Sequence, residues 1–279
     1  MPCIDPAVEV IKDVPFGHHQ QTLDIYRPRD PGDNRPVLMQ IHGGAWTEKM
    51  GSKDRQALPL MAHMARRGWI SVSVDYRLSP RATWPEHLID CKEGLKWIKD
   101  TIAEYGGDPG FVIVTGGSAG GQLAAMMALT AGDREYQPGF EDFDATVQGA
   151  VPFYGLMDFD AHFARYKNTD MDFAEATIFK KKREEDPEAF RRASPVHRGH
   201  ADAPPFFVIH GNKDSLVPVE QAREFVHKLS SVSTAPVVYA EIDGAQHAFD
   251  IFPSVRSEHV KHGVERFCAW MESNHRPTP

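Results

Sequence analysis

Cysteine is the first scarcity: only Cys3, Cys91 and Cys268 occur in 279 residues. Three thiols so far apart make neither a disulfide framework nor a zinc site. Cys91 and Cys268 fall on the apolar stripes of predicted helices, where cysteine serves as a small hydrophobe. Long apolar runs are missing as well. Nothing approaches the ~18 consecutive apolar residues of a membrane span, and Met1–Lys12 carries acids and prolines where a secretory signal needs a basic start and an apolar stretch. A soluble, cytoplasmic protein is the expectation. Positive charge is in deficit: 31 Lys and Arg against 39 Asp and Glu leave a net charge of −8. The densest basic run, Lys180–Arg183, is followed at once by Glu184, Glu185 and Asp186. It reads as a solvated helix face, so nucleic acid is not an expected partner. There is no His-Glu-x-x-His, no phosphate-cradling loop, and no nearby third ligand beside His259 and His262. Neither a metal nor a cofactor is expected.

What the chain does have is a globular balance, with 41% hydrophobic and 25% charged residues, and a length that suits one large α/β domain over 1–279. Apolar-rich segments separated by turn residues predict eight strands: Val8–Val14, Leu23–Tyr26, Val37–Ile41, Ile70–Asp75, Phe111–Thr115, Val147–Phe153, Phe206–His210 and Val237–Ile242. The first two alternate polar and apolar residues, as antiparallel edge strands do, whereas Val37–Ile41, Phe111–Val114 and Phe206–Ile209 read as buried parallel strands. Helical periodicity fills the gaps: Gln56–Arg67, Leu88 to Tyr105, Ser118–Thr130, Val219–Leu229 and Val260 to Met271. This alternation predicts a three-layer α/β sandwich with a mixed sheet and a parallel centre. One stretch, Leu156–Ala203, lacks a strand and places Phe159, Phe163, Phe173, Ile178 and Phe190 at helical spacing. It reads as a helical insertion above the C-terminal edge of the sheet, in the position of a lid.

The chemistry is concentrated in Thr115-Gly116-Gly117-Ser118-Ala119-Gly120-Gly121, which follows a buried strand and opens a helix. Strand, glycine-flanked serine and helix make a nucleophile elbow, in which small neighbours leave the Ser118 hydroxyl clear at the helix N-terminus. A neutral hydroxyl needs a base within reach and an acid to orient that base. Asp214 leaves the strand Phe206–His210 and is chosen for the acid over Asp158, which lies one strand too early. Of the fourteen histidines, His247 is chosen for the base because it lies in the loop Gly244–Phe249 that follows the last strand, where the Ser, Asp, His order requires it, whereas His259 and His262 lie on a predicted helix and His275 in the tail. The tetrahedral oxyanion needs preset N–H donors. Ala119, after the nucleophile, offers one, and the turn His42-Gly43-Gly44-Ala45-Trp46 offers others from Gly43, Gly44 and Ala45. Trp46, Trp84 and Phe249 are candidate pocket residues, although aromatic side chains more often serve a core.

With His42-Gly43-Gly44, Tyr76-Arg77-Leu78-Ser79-Pro80, the Ser118 elbow, Asp214 and His247 in this order, the chain resembles the hormone-sensitive-lipase-like (bacterial family IV) esterases of the α/β-hydrolase superfamily, from about Val8 to Met271. The resemblance implies an α/β-hydrolase fold with an eight-stranded, mostly parallel sheet. It also implies hydrolysis of short- to medium-chain carboxylic esters through an acyl-enzyme, with a small-molecule ester as partner and a homodimer compatible with it. Two departures stand out: Gly117 replaces the Asp usual before the serine, and Ala45-Trp46 follow His-Gly-Gly where a third glycine is usual. His-Gly-Gly-x-Trp is also similar to arylformamidases, which run the same mechanism on an N-formyl group. A binding protein that reuses the fold without chemistry is the alternative of another class.

Overall fold

Short apolar runs are fully buried only where both faces of a strand are covered, and the centre of the molecule is built that way. The computed structural model describes residues 6–30, 32–56, 58–159 and 172–275. β1 (Val8–Phe16) and β2 (Gln21–Pro28) pair antiparallel, and β2 pairs antiparallel with β4 (Ile70–Val74). From there β4, β3 (Arg35–Ile41), β5 (Gly107–Gly117), β6 (Gly149–Phe153), β7 (Phe206–Gly211) and β8 (Val237–Ile242) run parallel, in the order β1-β2-β4-β3-β5-β6-β7-β8. The expected eight-stranded mixed sheet with a parallel centre is the observed one.

Strand alternation divides the core in two. Val37, Met39, Ile41, Val112 and Val114 join the cluster formed with α2 (Glu86–Thr101) and α3 (Ala119–Leu129), while Leu38, Phe111 and Ile113 join the one formed with α1 (Leu58–Arg66). Cys91 and Cys268 are buried in these two clusters, as their places on apolar stripes predict. Some element ends differ from the sequence reading, each for a local reason. The stripe predicted to run helically to Tyr105 leaves the α-helix at Thr101 and finishes as a 3-10 turn, Ile102–Tyr105, closed by Gly106 at φ +88°. β5 extends back to Gly107 because that residue pairs with Arg35, and α3 begins at Ala119 because Ser118 is not helical.

Between Leu156 and Ala203 the described residues contain no strand. They form a π-helical turn at Ala174–Phe179, the short helix α4 (Pro187–Arg192) and a 3-10 turn at Pro195–His197. The Asp186 carboxylate accepts the Ala189 N–H and caps α4. Phe179 stacks on Phe190 at 3.9 Å and meets Phe159 at 5.2 Å, edge to face. Phe173 instead points outward, and Phe163, like Cys3, lies outside the described residues. α5 (Glu220–Val232) and α6 (Val255–His275) complete the layers, with α6 on the α1 face. None of the described helices is long and apolar enough to cross a membrane.

Candidate active site

β5 carries the chain through the middle of the sheet and releases it at Gly117. Every residue from Phe111 to Leu129 is buried except Ser118, which sits at φ +59°, ψ −121°. A side chain there is strained, and only the surrounding contacts hold it. Close approach between helix and strand is what requires glycine at position 120: a Cβ there would lie 2.1 Å from Ile41 O. Ser118 N–H donates to Phe153 O at 3.0 Å, and its carbonyl accepts the N–H groups of Gly121 and Gln122. The Ala119 N–H, first in α3, has no intrahelical acceptor and points the positive end of the helix toward an incoming anion.

The loops after β7 and β8 bring the predicted acid and base together. His247 Nδ1 lies 2.7 Å from Asp214 Oδ2. Asp214 Oδ1 accepts the N–H groups of Leu216 at 2.9 Å and Val217 at 2.8 Å, which fixes the carboxylate plane. Burial works to raise the Asp214 pKa, but hydrogen bonds from His210 and His247 outweigh it and hold the carboxyl well below its ordinary range. A carboxylate can only accept, so His247 carries its proton on Nδ1 and leaves Nε2 free as a base. The Ser118 hydroxyl has no hydrogen bond to His247 in this structure; this contact often tightens only when substrate is bound. Tyr154 lies beside both loops: its ring is 4.7 Å from the His247 ring, and its hydroxyl would be 2.8 Å from a Cβ built on Gly117, the residue before Ser118. Asp158, the competing acid, is buried elsewhere, with His197 Nε2 at 4.0 Å.

The turn after β3 is held from three sides. Its Gly43 N–H donates to Gln56 Oε1, so of the donors expected from this turn the Gly43 amide is already engaged, and Gly44 and Ala45 remain with Ala119. Tyr76 stacks on His42 at 4.4 Å and donates its hydroxyl proton to His42 O at 2.9 Å. Ser79 N–H donates to Trp46 O at 2.8 Å, and Glu48 N–H to Ser79 O at 3.1 Å. The Tyr76–Pro80 motif therefore braces the His42–Trp46 turn. Gly44, Ala45 and Trp46 all take positive φ, 107°, 50° and 58°.

Of the three aromatic pocket candidates, Trp46 is only 5% exposed, packs on Phe159 at 5.4 Å and donates Nε1–H to Gln122 Oε1. Trp84 meets Tyr136 and Phe179, and its N–H donates to Ile178 O. Both tryptophans thus face the 156–203 segment, whereas Phe249 lies against Tyr154 at 5.8 Å. Sequence reasoning missed Gln56, His210, Tyr154 and Asp250. Asp250 stands three residues beyond His247, and that proximity was the available signal. Away from the site, His63, His262 and Glu265 bring ligand atoms within 4.8 Å of one another, the one such group among the described residues. Glu265 also pairs with Arg67, so the cluster acts as a hydrogen-bonded clasp between α1 and α6.

A profile of the BD-FAE family matches residues 23–229. The chain belongs to the BD-FAE family. Among curated relatives it is 50% identical over 261 residues to the probable carboxylic ester hydrolase LipM of Mycobacterium tuberculosis, covering 92% of this chain and 60% of that one. It is 45% identical over 259 residues to esterase LipQ of the same organism, covering 91% and 61%. The chain therefore spans about three fifths of the length of these relatives. Solved structures share the fold: a truncated carbohydrate esterase from gut microbiota superposes with a TM-score of 0.83 at 22% identity over 96% of this chain and 99% of that one. The esterase Est2 of the Planctomycetes species Thermogutta terrifontis, with propionate bound, gives 0.78 at 23% identity, covering 95% of both. With its eight-stranded sheet, this BD-FAE member has the α/β-hydrolase fold expected from the resemblance.

Proposed function

We propose that this chain is a serine hydrolase that cleaves carboxylic esters of short to medium acyl length through an acyl-enzyme. One observation carries the reading: the 2.7 Å contact of His247 Nδ1 with Asp214 Oδ2, on loops that leave the same sheet edge as the Ser118 elbow. The Ser118 hydroxyl attacks the ester carbonyl while His247 Nε2 takes its proton. The tetrahedral oxygen is received by the N–H groups of Ala119, Gly44 and Ala45. His247 then returns the proton to the leaving alcohol, and water repeats the path to release the acid, with Asp214 stabilising the imidazolium throughout.

The names of the curated relatives, an ester hydrolase and an esterase, support this class, and the propionate-bound title of the Thermogutta esterase supports a short acyl group. The 156–203 segment, resting on Trp46 and Trp84, serves as the cap over the acyl side within a single domain. Ser118→Ala abolishes hydrolysis of a short p-nitrophenyl ester and labelling by a fluorophosphonate probe. Retained turnover sinks the assignment, and better turnover of an N-formyl-aryl amide than of the aryl ester moves it to the formamidase reading.

A further inference from the structure

A histidine held at Nδ1 by one carboxylate can still swing about that contact, so a base aimed at a serine needs a second restraint on its ring plane. The structure contains one. Tyr154 follows β6 directly, takes φ +36° and is 1% exposed. Its ring packs 4.7 Å from the His247 ring at 58°, and its N–H donates to Ile209 O at 2.7 Å. Its hydroxyl donates to Asp250 Oδ1, and Asp250 belongs to the same loop as His247. We propose that Tyr154 and Asp250 are positioning residues for His247: Tyr154 supports one face of the imidazole, and its bond to Asp250 ties the base-bearing loop back onto the elbow.

Four further observations fit. Burial raises the Tyr154 pKa well above its ordinary value, with Asp250 adding to it, so the hydroxyl keeps the proton it donates. Burial likewise pushes the Asp250 carboxyl up, while the hydrogen bond from Tyr154 works against that rise and favours the ionised form that accepts it. The departure at Gly117 also finds its cause: a Cβ there would lie 2.8 Å from the Tyr154 hydroxyl and 3.0 Å from the ring, so a side chain at 117 and Tyr154 in this pose exclude each other. Tyr154, Asp250 and Gly117 line one small cavity of about 10 Å³ with Gln56, the residue that holds the Gly43 amide, so base loop and oxyanion turn border the same cavity.

This inference rests on the esterase reading, and the test separates the two. In the full chain, Asp250→Ala and Tyr154→Phe lower kcat for a short p-nitrophenyl ester about ten-fold or more with KM within about two-fold, as expected for a misplaced catalytic group. Asp250→Asn, whose Oδ1 accepts the same hydrogen bond, stays within about three-fold of wild type, and the double variant Y154F/D250A is no slower than the slower single. Independently of turnover, the low-field proton NMR resonance of His247 Nδ1–H is sharp in the wild type and Asp250→Asn, and broadened in Asp250→Ala and Tyr154→Phe. Wild-type kcat in both Asp250→Ala and Tyr154→Phe, Asp250→Asn as slow as Asp250→Ala, or an unchanged resonance in Asp250→Ala and Tyr154→Phe each overturns the positioning role. Absent wild-type turnover removes the esterase reading alone, and the resonance still decides this one. Tyr154→Phe loses a single hydroxyl and serves where Asp250→Ala does not fold.

Discussion

The two flanks of Ser118 are built on opposite electrostatic plans. On the β7–β8 side a fully buried carboxylate, Asp214, is kept ionised against the cost of burial by donors from His210, His247 and two backbone amides. On the β3–β4 side the hydrogen bonds that brace the oxyanion turn come from uncharged groups: Gln56 on the Gly43 N–H, Tyr76 on the His42 carbonyl, and the Trp46 indole on Gln122; the carboxylate of Asp75 stands behind the turn, 3.5 Å from His42 Nε2. On the proposed mechanism, the difference follows from what each flank receives. A proton arriving on an imidazole is stabilised by a fixed negative charge, whereas an oxyanion is best met by oriented amide dipoles with no anion beside them.

Breaking the charged flank has the largest expected effect. Asp214→Asn leaves the shape but lets the imidazole take the wrong tautomer, and kcat should fall about 10⁴-fold, measured by steady-state hydrolysis with folding checked by circular dichroism. A loss under ten-fold would mean that the charge is dispensable. On the neutral flank, Gly44→Ala places a Cβ 2.4 Å from Gly51 N at φ +107°. The turn must move, and the loss of a preset donor is expected to cost about 10²-fold in kcat.

The third prediction concerns stability. His87, on α2 behind the bracing segment with Ser79 Oγ 3.1 Å from its Nε2, has its pKa lowered to about 4 by burial. It is neutral in the fold, and the unfolded chain takes up a proton near the ordinary ~6.5. Stability is therefore fully present above that value and declines as pH falls from ~6.5 toward 4, by up to about 3 kcal/mol. His87→Gln should flatten that slope in urea unfolding series run across the window; an unchanged slope would assign the pH dependence to other groups. The smallest effect is expected for Gln56→Ala, which frees the Gly43 N–H without moving a charge. It should lower kcat about ten-fold with little change in KM, and an unaltered kcat would show that the turn holds itself.

Much of this comparison was written in the sequence, but unevenly. Ser118, Asp214 and His247 were legible because each follows a strand with a strong apolar signal, and sheet order then fixes which strand ends meet. The strands were legible for the same reason: Val37–Ile41 and Phe111–Val114 are buried on both faces. Gln56, Tyr154 and Asp250 were not, because their roles come from contacts across space; the Tyr154–Asp250 bond joins positions 96 residues apart. The Tyr76–Pro80 segment was recognised as a motif, but its work as a brace appears only where Ser79 and Trp46 pair. Trp46 and Trp84 were assigned to a pocket on aromatic character alone, and packing against the 156–203 segment is what the fold gives them.

Gln122 sits on α3, four residues past the serine, and uses both ends of its amide. Its oxygen accepts Trp46 Nε1–H at 3.2 Å, and its nitrogen donates to Ala193 O at 2.8 Å, at the end of α4. The oxyanion turn and the inserted segment are thus fastened by one buried rivet to the helix that carries the nucleophile. Neither can shift without pulling on the other, so on the proposed mechanism access to the serine and readiness of the amides that serve it are mechanically a single setting.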